Sequence, residues 1–536
     1  MRARTLVSIV ALILMTATVG PAPADGAMQA PPAPPRGIDR LLRLPIGAVS
    51  APATNAGGTW VRSFGTPAED FFSMIRQTDD GGYVFGGSTG DAGSAMAVIL
   101  FRTDASGAVQ WAKRYTQGDL SGAEILPTSD GGYVVSGMTS AGPGVGEMWV
   151  AKLDASGGIV WQKAYGTFSL GFGLAVPLDD GGFVITGLDF SMTSFTLAMH
   201  VLRLDSSGNI QWQKEITGGT EDFYFGYPIP QADGSYMVVG WRSDMDGDDA
   251  QGWLLKLSSA GAVEWQKLFQ GSGYDVFFAA LATGDGGTLV QGTTSSFAAG
   301  GSDDSDLWLL KLNGAGNVVW QKAYGGPDDD YGGVTPVGTG YLVGGQTESY
   351  GAGGLDAWLA MLDGSGNLQW SRTYGGPADD AGWAYADATG DGYLLVGATA
   401  SFGAGNEDGW LIKVNDSGNL EWQRTYGGAD DDDLYFARRV DAISPRAWYP
   451  QLVRTGFDLL TPTLIDADEI FVEGDTRSFG AGSGDLWAGQ VDASGGVGGS
   501  CAFIGTSNAT VRSQTVGVST TTATVSTGTA PVSNGA

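Results

Sequence analysis

The two residue types that most often carry chemistry are almost missing. The 536-residue chain holds one cysteine, Cys501, and one histidine, His200. A disulfide framework and a Cys/His zinc site are therefore excluded within one chain. A Ser/His/Asp triad would need His200. That residue sits in an alternating apolar run, Leu197 to Leu202, with no nucleophile motif beside it, and reads as an ordinary strand residue. Charge is scarce too (16%), positive charge most of all: Lys+Arg 28 against Asp+Glu 58, a formal net charge of -30. Such a chain repels nucleic acid and anionic lipid, and favours cationic ligands or metal ions. Long apolar runs are absent outside the first residues, and nothing has helical periodicity.

The N-terminus has its own grammar. Met1 to Arg4 is basic, Thr5 to Val19 is apolar, and Ala22 to Ala24 offers small residues where a signal peptidase cuts. Residues 1–24 read as a signal peptide and 25–57 as a Pro/Ala-rich linker. No cysteine follows the apolar run, so no lipid anchor is expected. The mature chain is expected to be secreted, extracellular or periplasmic, with no membrane span.

What is abundant is glycine, 88 residues, and a repeat. The stretch from Asp154 to Tyr165 recurs along the chain. Its Trp falls at Trp60, Trp111, Trp161, Trp212, Trp265, Trp320, Trp370 and Trp422, with gaps of 51, 50, 51, 53, 55, 50 and 52 residues. One supersecondary unit is being repeated. Each unit reads as four short strands. In the second, Ala123 to Pro127 precedes a tight Asp130-Gly-Gly turn, where glycine supplies positive φ. Tyr133 to Thr139, Met148 to Leu153 and Ile159 to Tyr165 follow. Similar turns recur at Asp80, Asp180, Asp233, Asp285 and Asp391.

Four strands per fifty residues is one propeller blade. The fold class is therefore all-β, an eight-bladed β-propeller over 58–495, with blades beginning near Phe72, Ala123, Gly173, Tyr224, Val276, Tyr331, Trp383 and Leu434. The chain enters on a lone fourth strand, Trp60 to Phe64, and leaves the last blade on a third, Asp485 to Val491. The N-terminal strand should complete that blade and close the ring. An apolar insertion, about 444–467, interrupts the eighth blade and reads as a local lid over the ring, with a partner-binding flap as the alternative. The Ser/Thr-rich tail, 496–536, is expected to be loosely ordered.

The Leu204 to Trp212 element (LDSSGNIQW), with its Asp-Gly-Gly-Tyr turn, resembles the bacterial exported β-propeller repeat proteins. It is distantly similar to the tryptophan-docking repeats of eight-bladed quinoprotein-type propellers. The resemblance implies that Asp and Gly form a turn and Trp packs between neighbouring blades. The Asp-to-Trp distance is one residue shorter than the quinoprotein version. No set of quinone and calcium ligands is identifiable, so no quinone cofactor is carried over.

Trp161, Lys163 and Tyr165 share one strand face and recur in most blades, as packing residues should. Lys152 with Asp154, and Arg203 with Asp205, are spaced to form exposed ion pairs. Acidic runs follow the fourth strands: Glu69-Asp70, Glu221-Asp222, Asp328 to Asp330, Asp379-Asp380 and Asp430 to Asp433. The second-to-third-strand loops hold Asp303, Asp304, Asp306, Asp356, Asp408 and Asp485. In a propeller both loop classes fall on one face, which predicts an acidic collar. Calcium is the cation it would take. The candidate metal ligands are Asp244, Asp246 and Asp248 in one loop, which lacks the downstream Glu of an EF-hand, together with Asp328, Asp330, Asp380 and Asp431.

No catalytic constellation stands out. The reading is an exported, monomeric, non-catalytic binding or scaffold module that offers an acidic loop face to a protein, glycan or cation. The alternative is a hydrolase or lyase using acidic groups at the central channel, and a quinone-dependent dehydrogenase ranks third.

Overall fold

The computed structural model describes residues 60–534, with breaks at 66–69, 79, 91–94, 117–119, 143–144, 166–169, 192–195, 218–221, 232, 245–249, 302–303, 389–390, 433, 435, 440–468, 478–484, 495, 497–503, 506–509, 514–516, 521–523 and 528–531. The leader, the linker and the 444–467 insertion lie outside the described residues.

Eight antiparallel sheets follow one another along the chain, each a meander of four strands. Their innermost strands are Asp70–Gln77, Leu120–Pro127, Leu170–Pro177, Asp222–Pro230, Asp275–Ala282, Asp330–Val337, Asp380–Ala388 and Phe436–Arg439. We number the blades 1 to 8 in that order. The expected eight-bladed architecture is what the chain adopts. No helix among the described residues is long and apolar enough to cross a membrane.

The ring closes as the strand offset required. Trp60–Phe64 pairs with Asp485–Asp492, from Trp60 opposite Gln490 to Phe64 opposite Leu486, and so completes blade 8. One apolar cluster spans the seam, joining Phe64, Phe85, Leu411, Tyr426, Ile470 and Trp487. Phe64 meets Phe85 edge-on at 4.7 Å, and Tyr426 stacks on Trp487 at 5.5 Å.

Alternation explains the core. The third strands bury Trp149, Trp253, Trp308, Trp358, Trp410 and Trp487 at 1% exposure or less. Each removes about 200 Å² of apolar surface from water, roughly 5 kcal/mol before chain entropy is subtracted.

The tail departs from expectation. Instead of hanging loose, it returns around the ring and adds a fifth strand to five blades. Ile504–Gly505, Thr510–Ser513, Gly517–Thr520, Thr524–Thr527 and Val532–Asn534 pair with the outer strands of blades 7, 6, 5, 4 and 3 in turn. Ile504, Val511, Val518, Val525 and Val532 stand opposite Tyr426, Tyr374, Tyr324, Phe269 and Ile216. The physical reason is that an added edge strand needs backbone hydrogen bonds, which any composition supplies.

Candidate functional site: an acidic loop face

The two ends of the ring differ. On one end lie the first-to-second-strand turns and the third-to-fourth-strand turns. In blade 2, Asp130 Oδ1 accepts hydrogen bonds from Thr128 Oγ1 (2.6 Å), Gly132 N (3.1 Å) and Lys152 Nζ (2.9 Å). Burial pushes this carboxyl up, but these bonds and the Lys152 charge outweigh it and hold the group at about 2.

The arrangement repeats as Arg102–Asp80, Arg203–Asp180, Lys256–Asp233, Lys311–Asp285 and Lys413–Asp391. The cations are buried, except Lys256, which is half-buried, while the aspartates are exposed. The expected Lys152–Asp154 and Arg203–Asp205 pairs are not the partnerships formed. Asp154 instead caps its own turn, accepting from Ser156 N (2.8 Å) and Gly158 N (2.8 Å), which leaves Lys152 to Asp130.

Those third-to-fourth-strand turns also dock the blades. Trp161 Nε1 donates to Ser206 O of the next blade (2.9 Å) and Tyr165 Oη to Gly208 O (2.7 Å). Lys163 Nζ lies 5.9 Å from the Trp161 ring and donates to Asn209 Oδ1 (2.8 Å). Gly208 has φ +73°, and a Cβ there would come 2.8 Å from Trp161. The Trp, Lys and Tyr series is thus packing between blades, as its recurrence implied. His200 lies mid-strand, opposite Gly187 and Glu215.

The other end is the loop face. Backbone bonds join its two loop classes: Asp330 N donates to Ser305 O (2.7 Å), Asp380 N to Leu355 O (2.7 Å) and Asp432 N to Glu407 O (2.9 Å). Here one series of aspartates is buried. Asp275, Asp330, Asp380 and Asp432 are 0–1% exposed, and Asp306, Asp356 and Asp408 are 1–2% exposed.

Asp330 Oδ2 accepts from Gly326 N (2.6 Å) and Ser349 Oγ (2.6 Å), while Asp380 Oδ2 accepts from Gly376 N (2.6 Å). Asp306 Oδ2 accepts from Ala299 N (2.9 Å), and Asp408 Oδ2 from Ala404 N (2.8 Å). The two subsets meet across a glycine. A Cβ on Gly375 would stand 1.7 Å from Asp356 Oδ1 and 3.1 Å from Asp380 Oδ2; Gly325 and Gly427 repeat the contact.

Burial, with the nearby charges of Asp330, Asp304 and Asp329 adding to it, raises the Asp306 carboxyl to about 7. Its Oδ1 has no hydrogen-bond partner among the described residues.

A second series is on the surface. Asp328, Glu348, Asp379, Glu407 and Asp430 are exposed, and Asp304 is half-buried. They occupy the arc of blades 5 to 8. Arg477 faces them, 3.1 Å from Asp431 Oδ2.

Of the seven candidate metal ligands, the five that are described do not form one group. Asp244 ends the second strand of blade 4, opposite Asp222. Asp246 and Asp248 lie outside the described residues. Asp328 is exposed, Asp330 and Asp380 are buried, and Asp431 holds Arg477. Among the described residues, no group of three or more His, Cys, Asp or Glu is arranged to hold a metal ion. Sequence reasoning missed the division into buried and surface carboxylates. Its signal was the Tyr-Gly-Gly that opens the loop at Tyr324, Tyr374 and Tyr426, where the first glycine makes room for a carboxylate.

No protein-family model matches the chain, and no curated protein matches it. Among solved structures it is similar to the β-propeller domain of the Trilobed protease from Pyrococcus furiosus. The identity is 12%, over 65% of this chain and 98% of that chain, with a TM-score of 0.37. It is also similar to an acylaminoacyl peptidase of Pyrococcus horikoshii (10% identity, 66% of this chain, 52% of that chain, TM-score 0.33). A eukaryotic initiation factor shows 8% identity over 69% of this chain and 94% of that chain, with a TM-score of 0.37. Likeness this distant concerns the fold at most, and the architecture rests on the strand pairing above.

Proposed function

We propose that the protein is an exported binding module that meets a cationic partner, a basic protein segment or a cationic glycan, with the acidic arc of blades 5 to 8. One observation carries the reading. On the turn face, six aspartates each have a basic side chain in hand. On the loop face, Asp304, Asp328 and Asp379 have no basic partner among the described residues. Carboxylates held beside one another without counter-charge raise the local concentration of cations and speed their arrival. Calcium on the surface oxygens of Asp328 and its neighbours is part of the same proposal. The near-equivalence of the blades supports a scaffold.

The test is titration of the full chain with a lysine-rich peptide, and separately with calcium, at low and physiological salt. Screening over a Debye length of about 8 Å should weaken peptide binding at the higher salt. The variant Asp304→Asn/Asp328→Asn/Asp379→Asn/Asp430→Asn should bind at least tenfold more weakly. Salt-independent binding, or equal binding by the variant, sinks the proposal. Fractionation of the expressing cell checks export.

A further inference from the structure

The belt made by the tail pairs with five of the eight blades, and among the described residues blades 8, 1 and 2 keep four-stranded sheets. The outer strands of blades 1 and 2, Val109–Tyr115 and Ile159–Tyr165, end in the same way as those it covers. Tyr115 and Tyr165 are buried at 6% and 5% exposure, and each hydroxyl donates to the next blade's turn, at Gly157 O (2.8 Å) and Gly208 O (2.7 Å). Tyr324 and Tyr374 do the same at Gly366 O and Gly418 O, both 2.6 Å, and both are belted. Yet the sheets of blades 1 and 2 have four strands, and no described segment pairs with their outer edges.

We propose that these two edges are strand-acceptor sites, and that their occupant is the tail of a second copy of this chain. Three observations beyond the open edge point to that occupant.

The first is register. Ile504, Val511, Val518, Val525 and Val532 recur every seven residues, and each stands opposite the last buried aromatic or aliphatic residue of an outer strand. Seven extended residues reach about 23 Å, and the same step recurs from blade to blade. Tyr165 and Tyr115 are the next two positions on that track. Pairing is through backbone groups and one side chain per step, so nothing in it distinguishes the tail's own ring from another's.

The second is a donor awaiting an acceptor. Arg114 Nε is buried with no hydrogen-bond partner among the described residues. At three of the five equivalent positions, Glu215, Leu268 and Ala323, the tail residue opposite is a serine, Ser533, Ser526 and Ser519; at Thr373 and Thr425 it is Arg512 and Gly505. A serine in that place brings a hydroxyl acceptor to the arginine's edge.

The third is charge. No Asp or Glu follows Asp492, and Arg512 is the one charged residue of 504–536. The tail can therefore approach another copy of this acidic protein without charge repulsion. Each short strand binds weakly, but successive strands on one chain act at high effective concentration.

The experiment uses the full chain and a synthetic peptide of residues 509–534. Amide exchange should slow roughly tenfold at 109–115 and 159–165 when the peptide is added. A peptide with Val525→Asp and Val532→Asp should give no slowing. The full chain should self-associate with rising concentration in sedimentation, and the same double substitution in the full chain should abolish this. Three results overturn the proposal. One is slow exchange at both edges in the dilute chain alone, which means its own residues cover them. Another is slowing absent or confined to blades 3 to 7. The last is a chain that stays single at all concentrations although the peptide protects both edges, which excludes a second copy as occupant.

Discussion

Each end of the ring carries a series of aspartates, and the two series live in opposite surroundings. On the turn face the acid is exposed and its cation is buried: Asp285 stands at 66% side-chain exposure and Lys311 at 6%. On the loop face the acid itself is buried, and its partners are amides, hydroxyls and another carboxylate. The lesson is that one residue type serves both, because its charge state follows its neighbours rather than its name. Asp80, Asp130 and Asp285 are held below the usual carboxylate range, and Asp275, Asp306, Asp330 and Asp408 above it.

The sharpest way to break this contrast is pH. A carboxyl lowered on folding contributes stability that is present above its unfolded value of about 4 and is lost as pH falls toward 2. A carboxyl raised on folding does the reverse. Its contribution is fully present below about 4 and is lost as pH climbs to the folded value, near 7 for Asp306. Asp306→Asn removes the second effect alone. It should leave stability at pH 4 nearly unchanged and raise it at pH 8 by on the order of 2–4 kcal/mol, read from denaturant midpoints. A variant that is less stable than the parent at pH 8 would show that Asp306 is charged and satisfied.

A steric test comes next. Gly375→Ala places a methyl against Asp356 Oδ1. Overpacking of this kind costs about 1–3 kcal/mol, and the loss should be smaller in combination with Asp356→Ala. Equal losses in both backgrounds would mean the two carboxylates do not face each other across this glycine.

On the turn face the asymmetry of burial predicts an asymmetry of cost. Asp285→Asn strands a buried ammonium and should cost about 1–2 kcal/mol in a melting or denaturant series. Lys311→Met leaves an exposed carboxylate that water serves, and should be nearly neutral. If Lys311→Met proves the more damaging, the cation is not the dependent partner. Smallest of all, Asp328→Asn on the surface should change stability by less than about 0.5 kcal/mol while lowering affinity for a lysine-rich peptide.

Much of the fold was legible because its signals are dense. A Trp every fifty residues, an Asp-Gly turn and an unmatched fourth strand at Trp60 imply blades, their number and the place where the ring joins. The strand starts fall within a few residues of the spacing-based expectation. What escaped was sparse or double in meaning. The belt rests on Ile504, Val511, Val518, Val525 and Val532, too thin a pattern for strand alternation to reveal. Asp330 and Asp380 read as surface ligands because a carboxylate usually is exposed. Only their neighbours in space, Ser349 and Gly376, show that both serve to hold a loop. The collar itself was legible as a charge pattern, and burial was needed to separate its surface members in blades 5 to 8, while Glu69, Glu221 and Asp303 lie outside the described residues.

The pairing of Trp60–Phe64 with Asp485–Asp492 also sets a timetable. A ribosome makes the first strand about 420 residues before the partner it needs, which at 5–20 residues per second is roughly 20–80 s. During that interval seven blades can form, and the early strand waits with its edge bare. Chaperones or rapid transfer out of the compartment of synthesis would matter most in those seconds, before the last blade arrives to take it in.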